Sequence, residues 1–106
     1  MELMEVSCYH IGVTVRNLTN TALEDIKAAF QYFPVRVKEV SELNGVKQTY
    51  TDVIEIELPP TGVDREAAKD ILLNILKLNN IQLLDDYYEY PIYDLQIHLS
   101  TKAQDK

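Results

Sequence analysis

Four side chains have the chemistry of a metal or acid–base site: His10, His98, Glu55 and Glu57. Two imidazoles with a carboxylate suit zinc or another divalent ion. They act together only if the strands that carry them lie side by side. A polar face on a two-layer domain also arises with no such role, because it is ordinarily solvated or paired with another subunit. The sequence therefore assigns no metal and leaves these four as candidates. Cys8 is the single cysteine. It forms no internal disulfide, has no positively charged sequence neighbour to activate it, and reads as a small packing residue in a reducing compartment.

The densest chemistry lies in segment 83–93, which holds four of the seven tyrosines and three carboxylates. Tyrosine offers a rigid amphipathic contact surface, and neighbouring carboxylates steer and pair with Lys or Arg on a partner. Asp85, Asp86, Tyr87, Tyr88, Glu89, Tyr90 and Tyr93 are thus the expected partner-binding residues. A plainer reading sets Tyr93 at the core edge and Tyr88 and Tyr90 over the end of the second helix, the acids serving solubility.

Charge narrows the partner. The chain carries 17 acids and 10 bases, net −7. Residues 1–50 hold six acids and five bases, residues 51–106 eleven and five, and no Lys or Arg occurs between Leu78 and Thr101. Nucleic acids and anionic membranes are bound largely through Lys and Arg, so both are disfavoured and a cationic protein surface is favoured. Cluster-binding and paired-cysteine carriers are excluded by the lone Cys8. Gly12, Gly45 and Gly62 stand singly, unlike a phosphate-cradling loop, and Arg16-Asn17 is only an echo of an anion nest. No nucleotide-cofactor or hydrolase motif is present, which disfavours an enzyme.

The elements that must position these residues follow from periodicity. Residues 4–16 alternate, with Tyr9, Ile11, Val13 and Val15 on one face and Cys8, His10, Gly12 and Thr14 on the other. Thr19 is a helix cap with Leu18 and Leu23 as a staple, and Thr21 with Glu24 is a competing capping box. Leu23, Ile26, Ala29, Phe30 and Phe33 form the helix stripe, which Pro34 ends. Asn44-Gly45 marks a type I′ hairpin turn. With Leu43 facing Val46, Val37 faces Asp52 and Val35 faces Ile54, leaving Arg36, Lys38, Glu55 and Glu57 on the open face. Asp64 caps a helix to about Leu78, with Ala67, Ala68, Ile71, Leu72 and Ile75 buried. Residues 81–84 read as a short extended piece, residues 85–90 as a loop, and Tyr93, Leu95, Ile97 and Leu99 as the inward face of a last strand.

Strand, helix, strand, strand, helix, strand gives an α+β domain over residues 1–100, followed by a polar tail, 101–106. Right-handed crossovers favour a two-layer ferredoxin-like βαββαβ sandwich: a four-stranded antiparallel sheet with two helices on one face and the first strand between the third and last. His10 would then neighbour His98 and Glu55 or Glu57. The acidic N-terminus lacks a secretory signal, which points to the cytoplasm. The expected function is non-enzymatic and cofactor-free. An acidic interaction or inhibitor protein, monomeric or weakly dimeric, engages a basic protein surface, a nucleic-acid-binding partner being one case. In size and charge it is analogous to accessory proteins of mobile genetic elements. The alternative is a small-ligand-sensing regulatory domain acting as a homo-oligomer.

Overall fold

The computed structural model describes residues 4–94, apart from the Leu43 side chain. The expected continuation of the last strand through Leu95, Ile97 and Leu99, His98 and the tail from Thr101 lie outside the described residues. Within them the class is α+β, with a four-stranded antiparallel sheet and two helices. No described helix is long and apolar enough to cross a membrane.

Strand β1 (Glu5–Arg16) puts Ile11, Val13 and Val15 into the core with no exposed surface. Helix α1 (Asn20–Ala29) starts where the Thr19 hydroxyl accepts the Ala22 N–H at 3.1 Å, so Thr19 rather than Thr21 caps it. Its buried residues are Ala22 and Ile26, followed by Phe30; Ile26 and Phe30 face inward as expected, whereas Ala29 is exposed because the buried positions recur at i, i+4. Strand β2 (Val35–Glu39) follows Pro34. The small β3 (Glu42–Leu43) and β4 (Val46–Lys47) form a separate hairpin tip, and β5 (Thr51–Leu58) returns to the sheet.

Asn44 and Gly45 adopt φ of 53° and 81°, as a type I′ turn requires. The register beyond the tip differs from expectation: Val37 faces Ile54 and Val35 faces Ile56. Gln48 donates to the Ser41 carbonyl and Val40 to the Thr51 carbonyl, both at 2.9 Å, so Thr49 and Tyr50 are looped out between them. An even shift keeps every side chain on its face. A Cβ at Gly45 meets nothing within 4 Å, so Gly45→Ala should cost about 1 kcal/mol from positive φ alone, read from its urea midpoint. A neutral result would mean that the tip is unformed in solution.

Asp64 caps α2 (Arg65–Leu78), accepting the N–H groups of Glu66 and Ala67. Ala68, Leu72 and Leu76 are buried, whereas Ala67 is exposed and Ile71 is 44 % exposed. The fully buried stripe thus runs at i, i+4 spacing, with Leu73 and Ile75 half-buried along its flanks. The final strand, β6 (Gln82–Asp94), overturns the expected short piece and loop: residues 82–94 form one strand paired with β1. Strand order is β2-β5-β1-β6, with all neighbours antiparallel. One cluster joins the inward residues of β1 and β5 to Ala22, Ile26, Ala68, Leu72 and Leu76 of the helices.

Candidate functional site

The polar residues of the face opposite this core stand in two adjacent cross-sheet rows. In one, Arg36 of β2 is paired with Glu55 of β5, Glu55 with Gly12 of β1, and Gly12 with Tyr88 of β6. In the next, Glu57, His10 and Tyr90 are in register. Gly12 leaves a gap in the first row. The Tyr88 ring fills it: a Cβ on Gly12 would overlap that ring, with Cε2 at 2.7 Å and the hydroxyl end closer still. Lying across the glycine, Tyr88 donates its hydroxyl to Glu55 Oε2 at 2.9 Å, and Tyr90 donates to the same oxygen at 3.0 Å. The two rings stack at 5.7 Å, and Tyr90 meets the His10 ring edge-on at 5.4 Å.

The network fixes the imidazole. His10 Nδ1 lies 3.2 Å from the Tyr90 hydroxyl oxygen and 3.3 Å from Glu55 Oε1. Tyr90 spends its proton on Glu55, so Nδ1 carries the hydrogen in this contact. On the far side, Arg36 Nη2 is 3.4 Å from Nε2. A guanidinium only donates, so Nε2 presents a lone pair. Arg36 Nη2 also lies 3.6 Å from Glu55 and 3.7 Å from Glu57, and Nε2 lies 3.7 Å from Glu57 Oε1. His10 and Glu55 side chains are 13 % and 12 % exposed, Arg36 45 %.

Burial pushes the Glu55 carboxyl up, but hydrogen bonds from Tyr88 and Tyr90, the facing His10 ring and the charge of Lys38 outweigh it and hold the group below its ordinary value. Burial, then the bond to Glu55, raises both Tyr88 and Tyr90. On β5, Asp52 is raised by burial and by Glu39. An imidazole backed by a carboxylate, with a lone pair on its other nitrogen, can serve as a base or as a metal ligand once Arg36 gives way.

The expected contact segment is divided by the sheet. Tyr88 and Tyr90 lie on the polar face rather than over the end of α2. Tyr87 and Glu89 are bonded to each other at 3.1 Å, and Glu89 accepts from Arg65 Nε at 2.8 Å. Arg65 in turn stacks 3.6 Å from the Tyr9 ring centre, and Lys69 stands over Tyr87. Burial and the Glu89 bond raise Tyr87; the same carboxylate holds Arg65 above its ordinary value. The Asp85 and Asp86 side chains are exposed and make no hydrogen bond or ion pair among the described residues, and Tyr93 is 53 % exposed. Glu55 and Glu57 stand beside His10 as expected, but its neighbour on the last strand is Tyr90, with His98 outside the described residues.

Sequence reasoning missed Tyr88 and Tyr90 as partners of His10, because it read them as a loop, and placed Arg36 on the open face without joining it to His10. The available signal was Gly12, a lone glycine in an alternating strand, which marks a close approach. It also set Cys8 apart as packing. Cys8, His10 and Glu57 offer ligand atoms within 4.8 Å of one another. Beside them opens a pocket of about 360 Å³ lined by Ser7, Cys8, Phe33, Pro34, Glu57 and Pro59, among others. Comparison with protein-family models, curated proteins and solved structures finds no match to this chain.

Proposed function

We propose that this chain is a non-enzymatic interaction protein whose β6 side engages a basic surface of a protein partner. The carrying observation is Asp85 and Asp86: exposed carboxylates with no partner among the described residues, on the outer strand, in a stretch without Lys or Arg. Carboxylates without an internal cation keep their field for an incoming one. Tyr93 adds a rigid exposed ring. A surface of lysines and arginines built for nucleic acid is the complement such a patch suits. The reading takes the protein as a cytoplasmic monomer or weak homodimer. We infer a ferredoxin-like βαββαβ arrangement, supported by the order β2-β5-β1-β6 and by helical crossovers between β1 and β2 and between β5 and β6.

The test uses the partner captured from host extract and measures association kinetics. Asp85→Asn with Asp86→Asn should slow association about tenfold at low salt and flatten its salt dependence. Glu89 is left intact because Arg65 depends on it. Tyr93→Ala should chiefly quicken dissociation. Unchanged kinetics for the double variant at low salt would refute the reading. A regulatory domain that senses a small ligand as a homo-oligomer is the second reading, favoured by the pocket beside Cys8 and Glu57. A dimer that resists dilution would favour it.

A further inference from the structure

We propose that Cys8, His10 and Glu57 form a binding site for a borderline-soft divalent transition ion of the zinc class, with its fourth position open to the adjoining pocket. The site is independent of the partner surface above and uses different residues.

The donor set is thiolate, imidazole and carboxylate, the three protein ligands zinc takes most often. Tetrahedral coordination at ordinary bond lengths separates ligand atoms by roughly 3.3–3.8 Å. His10 Nε2 and Glu57 Oε1 are already 3.7 Å apart, and the whole set lies within 4.8 Å. Closing the remainder takes about 1 Å of side-chain movement, within reach of staggered rotamers at Cys8 and Glu57. Those two residues also line the pocket, which leaves an approach from solvent and room for water or a small ligand opposite them.

Orientation of the imidazole is the second observation, and it does not depend on the ligand count. A metal-bound histidine characteristically gives its other ring N–H to a carboxylate, which fixes the tautomer and sharpens the lone pair. His10 does this. Nδ1–H faces Glu55, Glu55 is held by the hydroxyls of Tyr88 and Tyr90, and Nε2 points to Glu57. Gly12 makes the arrangement possible by admitting the Tyr88 ring. So elaborate a support for one ring nitrogen is more than a solvated sheet face requires.

Arg36 supplies the third. Its Nη2 stands within 3.4–3.7 Å of His10 Nε2, Glu55 and Glu57, and so occupies the place of the cation. Arg36 belongs to an edge strand and is 45 % exposed, so it can leave that place for solvent. Arginine and ion are therefore competitors. A substitution that removes the arginine should tighten metal binding, which a merely structural ion-pair cluster would not do.

The experiment titrates the reduced full chain with Zn²⁺ by calorimetry and with Co²⁺ by absorbance. One equivalent of Zn²⁺ should bind, and Co²⁺ should show a thiolate-to-metal charge-transfer band that Cys8→Ser abolishes. Arg36→Gln should bind Zn²⁺ on the order of tenfold more tightly, and Glu55→Gln about 10–100-fold more weakly. The wild-type and Arg36→Gln spectra need no substitution at a ligand, so misfolding of Cys8→Ser cannot obscure the result. Absence of the band from both proteins overturns the site, as does Zn²⁺ binding left unchanged by a folded Cys8→Ser.

Discussion

Gly12→Ala should destabilise the protein by about 1–3 kcal/mol, although the atoms nearest the added methyl all belong to one side chain. The overlapping atoms are the far end of the Tyr88 side chain, so the ring yields and the strand does not. In yielding, Tyr88 gives up its hydrogen bond to the Glu55 carboxylate and its stack on Tyr90. A bond to a charged acceptor is worth roughly 1.5–3 kcal/mol, a large share of the ~5–15 kcal/mol that holds a small domain. Denaturant melts of Gly12→Ala, Tyr88→Ala and the double variant check the cause. If displacement of Tyr88 is the whole effect, the double variant should be no less stable than Tyr88→Ala alone. Additive losses would mean that the methyl strains β1 itself.

Stability should fall at both ends of the pH scale, in acid through Glu55 and in alkali through the tyrosines that bond Glu55 and Glu89. Glu55 titrates below its ordinary 4.5 in the folded chain. Its contribution is therefore present above 4.5 and is lost as pH falls through the folded value. Asp52 is shifted the other way, so its protonation in acid favours the fold and partly offsets the loss. The difference between wild type and Glu55→Gln isolates the Glu55 share: the gap should be widest above pH 5 and close in acid. At the alkaline end, Tyr87, Tyr88 and Tyr90 are raised above the ordinary 10.0. Their contribution is complete below pH 10 and is lost as pH climbs towards the folded values, so cooperative unfolding should set in above pH 10. Part of the tyrosinate absorbance should then rise together with the loss of circular dichroism, and Tyr88→Phe should reduce that part. Ionisation of every tyrosine ahead of any structural change would contradict the prediction.

Regular alternation made β1 and β5 legible, and with them the inward face that meets the helices. Thr19, Asp64 and Asn44-Gly45 each announce a local geometry through their own backbone or side-chain chemistry, and each adopts it. Strand β6 gives no such signal. Its pairing with β1 shifts register between Gly12 and Thr14 and again between Thr14 and Val15, and the doublets Asp85-Asp86 and Tyr87-Tyr88 sit in that irregular stretch. A bulge inserts a residue and breaks the two-residue period, so a real strand reads as a polar loop. The site suffers the same loss. His10, Glu55 and Glu57 lie on regular strands and were found, whereas Tyr88 and Tyr90 reach them only through the β6 register. Cys8 and Arg36 became candidates once distances replaced sequence spacing.

The outer flank of β6 has a further consequence, for self-association. Among the described strands β6 has one neighbour, so thirteen residues present a side free of ladder partners. An open edge of that length invites a second copy to add its own strand, the first step towards fibrous aggregates. Bulges bend this edge, Pro91 removes an amide donor from it, and Asp85 and Asp86 bring like charges together when two copies approach antiparallel with these residues opposite one another. The carboxylates offered to a basic partner therefore also act as gatekeepers, and neutralising them without that partner trades recognition for a loss of colloidal protection.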